Sequence, residues 1–124
     1  MAKIFANYTS KRTIHFVLFG AEEQGLIGSK YYVNNLEQTG YNVAYSLIMD
    51  MIGYSNKYFG VTIETSSSSA NRVLGDLMQD NTEAYGTGLT IERSTNYFGS
   101  DHVPFIDDGI PCFLAIEQGI LELF

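Results

Sequence analysis

The stretch Ile14-His15-Phe16-Val17-Leu18-Phe19-Gly20-Ala21-Glu22-Glu23-Gln24-Gly25-Leu26-Ile27-Gly28-Ser29 decides how the rest of the chain is read. Its opening run is β-branched and aromatic and stops at Gly20, which predicts a buried strand over 13–20. Two adjacent carboxylates follow, then glycines, then a segment predicting a helix over 25–38, with Ile27, Tyr31 and Leu36 inward and an end before Gly40. Open α/β sheets hold their ligands in a crevice at the carboxyl ends of the strands, where this pair falls. Neighbouring residues at such a junction diverge, so one carboxylate can face a metal while the next faces a substrate water. The plainer alternative is a helix N-terminus with acids in its first turn, favoured by the helix dipole.

A second junction of this kind ends at Asp50. Residues 43–50 read as a central strand, and Asp50 sits within Met49-Asp50-Met51-Ile52. A carboxylate among such neighbours is costly to bury without a counter-charge, hydrogen bonds or a metal. It either caps the next turn or joins Glu23 in a site built from oxygen ligands.

Further strands are expected at 57–64, 90–92 and 111–117. Ser66 to Ser69 reads as a loop ending in an N-cap for a helix over 70–84, whose Val73, Leu74, Leu77 and Met78 would face the core. Residues 93–100 read as a site-facing loop and 101–108 as one or two helical turns. Residues 1–12 are a polar lead-in. Strand-helix alternation of this kind predicts a three-layer α/β/α fold with a mostly parallel central sheet.

The 124 residues suit a single domain with a modest core. A net charge of −7 and no Lys/Arg run argue against nucleic acid as a partner. The lone Cys112 excludes an internal disulfide and reads as a buried small hydrophobe. No apolar stretch reaches membrane-spanning length, and no signal peptide is present. Asn7-Tyr8-Thr9 has the glycosylation acceptor pattern, which occurs often by chance.

Three ordered motifs carry a resemblance. The stretch from Phe16 through Ser29 to Tyr32 resembles the signature of the zinc aminopeptidase family that includes bacterial leucyl-type aminopeptidases, with glutaminyl cyclases and glutamate carboxypeptidase II as distant relatives. Asp50-Met51-Ile52-Gly53-Tyr54 resembles the next motif. Tyr97-Phe98-Gly99-Ser100-Asp101-His102-Val103-Pro104-Phe105, followed by Gly109-Ile110-Pro111-Cys112, resembles a third. The resemblance implies removal of N-terminal residues from peptide substrates by a water activated at a pair of zinc ions. Glu22 would be the general base, Glu23 a ligand of one zinc and Asp50 of the other. Tyr97 would hydrogen-bond the developing oxyanion, and Ser100, Asp101 and His102 would support the pocket.

The family pattern also places a His and a metal-bridging Asp before the Glu-Glu strand and a further His after the last strand. Neither histidine of this chain aligns with those ligands; His15 reads as a sheet-face residue. The resemblance therefore implies a partial catalytic domain over 1–124, incomplete at both ends, weak in zinc and inactive alone. An inner strand would become a sheet edge, so self-association or strand exchange is expected. A secreted or periplasmic parent stays open.

Other chemistries fit less well. Ser100-Asp101-His102 has the letters of a hydrolase triad, but consecutive residues do not form that relay, and no Gly-x-Ser-x-Gly elbow exists. Cys112 with His102 lacks an activating context for a thiol dyad. The glycines from Gly20 to Gly28 lack the Lys-Ser/Thr of a P-loop. The alternatives carried forward are a glutaminyl-cyclase-like acyltransferase and a non-catalytic interaction module.

Overall fold

The computed structural model describes residues 1–53, 60–97 and 99–117. The expected strand start at 57–59, together with Tyr54, Phe98 and residues 118–124, lies outside the described residues. The elements in chain order are α1 (Ala2–Phe5), α2 (Ile27–Asn34), α3 (Leu36–Thr39), β1 (Ser46–Met49), β2 (Gly60–Glu64), α4 (Ser69–Ala84), β3 (Thr90–Ser94), α5 (Val103–Asp107) and β4 (Cys112–Glu117).

The strands form one sheet in the order β1-β4-β2-β3. β4 runs parallel to β1, and β3 runs parallel to β2. The β2–β4 pairing is antiparallel, so the sheet is mostly but not wholly parallel. β4 is buried from Cys112 to Leu114 and on to Ala115, as expected of a central strand covered on both faces.

Side-chain alternation along β4 divides the core into two layers. Cys112 packs with Val33 of α2 and Phe105 of α5, joined by Phe19, Tyr32 and Ile48. Phe113 and Ala115 face the other way with Ile63, against Leu74 and Met78 of α4. Helices therefore cover both sheet faces, giving the α/β/α arrangement. A polar clamp locks α4 to the start of β4. The Ser68 hydroxyl caps α4 by accepting from the Asn71 amide at 3.3 Å. The Asn71 side chain accepts from the Cys112 amide at 3.0 Å. Thr65 Oγ1 donates to the Cys112 carbonyl at 2.5 Å. Burial pushes the Cys112 thiol up to about 12, so it is an inert core group.

Three expectations need correction. Among the described residues, 13–20 form no strand and β1 is hydrogen-bonded on the β4 side only. Strand composition alone does not build a ladder; a partner edge must pair with it. His15 is accordingly no sheet-face residue. It is exposed, lies 3.2 Å from the Tyr32 hydroxyl and meets the Tyr41 ring edge-on.

The second correction concerns helix phase. The inward residues of 27–39 are Ser29, Val33 and Leu36, whereas Ile27 and Tyr31 are exposed. The helix also breaks at Asn35, dividing α2 from α3. In α4 the core face runs through Asn71, Leu74, Gly75, Met78 and Thr82, leaving Val73 and Leu77 exposed. In each case a buried polar or small residue, not the next apolar one, marks the inner stripe. Third, β3 extends to Ser94, further than expected, by pairing with the full length of β2. Among the described residues no helix is long and apolar enough to cross a membrane.

Candidate active site

The carboxylate pair sits on a compact turn. The amides of Gly25 and Leu26 donate to the Glu22 carbonyl at 3.0 and 2.8 Å, and Ile27 donates to the Ala21 carbonyl at 3.1 Å. The turn closes where the Gly28 amide meets the Gly20 carbonyl at 3.1 Å. A Cβ on Gly28 would lie 2.6 Å from that oxygen, so the approach requires glycine. Ala21 and Leu26 take left-handed φ values of 57° and 60°. Met51, just after Asp50, does the same at 47°. Each costs an L-residue roughly 1–2 kcal/mol, and such strain gathers where side chains are aimed for a purpose.

Three separate stretches bring acids to this region. Glu22 is half-buried beside exposed Glu23; Asp50 follows β1; Asp101 arrives on the loop that leads into α5. Burial first, and then the charges of Glu23, Asp50 and Asp101, raise the Glu22 carboxyl above the ordinary carboxylate value of 4.5. Among the described residues no cation offsets this shift.

The Ser100-Asp101-His102 segment ties the stretches together. The Ser100 hydroxyl donates to Asp50 Oδ2 at 2.9 Å, fixing that carboxylate across the sequence. Ser29, fully buried on α2, donates to Asp101 Oδ1 at 2.5 Å. His102 is 0% exposed, and neither ring nitrogen has a partner among the described residues. Burial lowers its pKa to about 4, partly countered by Asp50, so the ring is neutral at pH 7. Tyr97 is half-buried after β3 and bonds to none of the described site residues. Glu22, Asp50, Ser100, Asp101 and His102 thus converge; Tyr97 is not brought into their hydrogen-bond network.

Ser29 went unrecognised in the sequence. Its signal was a serine on the stripe that continues through Val33 and Leu36, legible only once the helix is started at Ile27. A shallow hollow of about 400 Å³, lined by Tyr31, Tyr32, Leu36 and neighbours, holds none of the site carboxylates.

Oxygen donors of the kind at Glu23 and Asp50 suit zinc in type. However, no group of three or more His, Cys, Asp or Glu among the described residues is placed to hold a metal ion. Zinc sites take three or four protein ligands. The described residues of this chain therefore do not by themselves fit a zinc ion.

Residues 1–120 match peptidase family M28, and the chain belongs to that family. Aminopeptidase YwaD of Bacillus subtilis is 33% identical over 112 residues, a match covering 89% of this chain and 24% of that protein. Leupeptin-inactivating enzyme 1 of Streptomyces exfoliatus is 38% identical over 104 residues, covering 79% of this chain and 21% of that protein. Among solved structures, BSAP, a zinc aminopeptidase from Bacillus subtilis, aligns with a TM-score of 0.75 at 30% identity, covering 93% of this chain and 28% of that one. The LapA aminopeptidase of Legionella pneumophila aligns with a TM-score of 0.77 at 27% identity, covering 90% and 31%. The chain spans about a quarter of the length of the curated relatives it matches.

Proposed function

We propose that this chain is the carboxylate-bearing part of an aminopeptidase-type peptide hydrolase, with Glu22 as its general base. The observation that carries the reading is the convergence of Glu22, Asp50 and Asp101 from three stretches of an M28 chain. Glu22 takes a proton from the attacking water and returns it to the leaving amine; burial and the neighbouring carboxylates raise its carboxyl pKa, which makes it a stronger base than an ordinary carboxylate. Ser100 holds Asp50 in place, and the Ser29–Asp101 bond pins the loop that carries Ser100. Tyr97 is the candidate donor to the oxyanion.

Relatives are named as zinc enzymes, and Glu23 and Asp50 are the donors this chain would offer such an ion. No third donor accompanies them among the described residues, so the chain by itself is expected to be inactive.

The test has two arms. The chain with added zinc should release no nitroaniline from a panel of aminoacyl-nitroanilides. A chimera carrying residues 1–120 in place of the matching stretch of aminopeptidase YwaD should release it, and Glu22→Gln in that chimera should lower kcat by about 100-fold or more. A folded Glu22→Gln chimera as fast as its parent would refute the assignment.

A further inference from the structure

Two hydroxyl-to-carboxylate bonds join stretches far apart in sequence, and both meet on one loop. The Ser29 hydroxyl donates to Asp101 Oδ1 at 2.5 Å across 72 positions. The Ser100 hydroxyl donates to Asp50 Oδ2 at 2.9 Å across 50 positions. Ser29 is 0% exposed, Ser100 5% and Asp101 8%. The Ser29 hydroxyl also lies 3.3 Å from the Leu26 carbonyl, on the turn that carries Glu22 and Glu23. A path of contacts thus runs from that turn through Ser29, Asp101 and Ser100 to Asp50.

Ordinary helix architecture does not account for Ser29. α2 begins at Ile27 with Leu26 at its N-cap, and no side chain caps it. A serine near a helix start commonly satisfies the helix's own backbone; this one turns its hydroxyl inward to another stretch. The residue before it, Gly28, is where the acidic turn closes on Gly20. Closure and inward hydroxyl are therefore consecutive residues, so a shift of the turn moves Ser29 with it. Val33 and Phe105 also bring α2 and α5 together, but apolar contact is non-directional and leaves their relative slide open. A bond to a carboxylate is short and oriented, and fixes that slide. Burying the Asp101 carboxylate is costly, and a plain joint between helix and loop does not need one.

We propose that Ser29 is a positioning residue that couples the Glu22-Glu23 turn to Asp50. It acts through Asp101 and the Ser100 hydroxyl, which sit on one loop. Losing the Ser29 hydroxyl removes a donor from buried Asp101 and lets the turn and Asp50 move independently. For its effect on turnover the inference rests on the peptidase reading above. The coupling itself does not, and backbone amide exchange reads it without any measurement of activity.

The experiment is amide hydrogen exchange on the full chain. The Gly28 amide reports the turn, and the Val103 amide, which donates to the Ser100 carbonyl at 3.1 Å, reports the loop. Ser29→Ala should speed exchange at both by about tenfold or more and leave the β2–β4 ladder around Ile63 and Ala115 as it was. Asp101→Ala removes the acceptor and should give the same pattern. Asp101→Asn keeps an oxygen for Ser29 and should change neither amide by more than about threefold. In the chimera with aminopeptidase YwaD, Ser29→Ala should lower kcat about tenfold with KM little changed. Ser29→Ala with Ser100→Ala should be no slower than the slower single variant, because both act along one path. Exchange that rises equally through the whole chain, exchange unchanged at both amides, or kcat losses that multiply in the double variant would overturn the proposal. A chimera in which Glu22→Gln is as fast as its parent refutes the peptidase reading instead, and the exchange result then decides the coupling.

Discussion

In β4, Cys112, Phe113, Leu114 and Ala115 are all buried; in the largely apolar run from Ile14 to Leu18, all five residues are exposed. Composition does not separate the two stretches. Pairing does: β4 has β1 on one side and β2 on the other, with helices over both faces. Residues 14–18 have no ladder among the described residues. An apolar strand is stabilised by what lies on its edges and faces, and its sequence records only that it needs them.

The comparison predicts a steep gradient of mutational cost. The largest effect belongs to Phe105, which is 2% exposed and joins Phe19 and Tyr32 beside α2. Phe105→Ala should cost roughly 3–5 kcal/mol in urea unfolding. A loss below 1 kcal/mol would mean that this layer is not a packed core.

Acid should act next. His102 has a folded pKa of about 4, below the ordinary histidine value of 6.5. Between these values the unfolded chain holds a proton that the folded chain lacks. Stability is therefore full above pH 6.5, falls as pH drops towards 4 and levels off below that. The integrated loss attributable to this group is roughly 3 kcal/mol. His102→Gln should flatten the change in urea midpoint across that window; an unchanged slope would assign the acid sensitivity to other groups.

Asn71→Ala removes the acceptor of the Cys112 amide and should cost about 1–3 kcal/mol, since a buried donor loses its partner. Thermal unfolding would report it, and a neutral result would show that water replaces the amide. Smallest of all, Leu18→Ser in the monomer should shift stability by less than about 0.5 kcal/mol, because that side chain is already in water. A shift as large as that of Phe105→Ala would erase the contrast between the two regions.

Much of this was legible in the residues. The strands at β1, β2 and β4 and a serine cap on α4 follow from apolar runs and a serine run before a helical period, although the cap falls at Ser68 and not at Ser69, where the run ends. The three carboxylates at 22, 23 and 50 stand out because acids at strand ends are costly without a use. Less legible were the features set by distant partners. Ser29 turns inward because Asp101 waits for its hydroxyl, and that phase exposes Ile27 and Tyr31. Left-handed Ala21 and Met51 carry no local signal, since neither residue type prefers that conformation. Residues 13–20 have strand chemistry, but whether they pair depends on an edge the segment itself cannot specify.

Among the described residues, the chain gathers carboxylates from three stretches without closing a metal shell. Calorimetric titration of the monomeric chain with zinc tests that most directly. Weak binding, with a Kd in the micromolar range or above, is the predicted result; submicromolar binding by the monomer would contradict it.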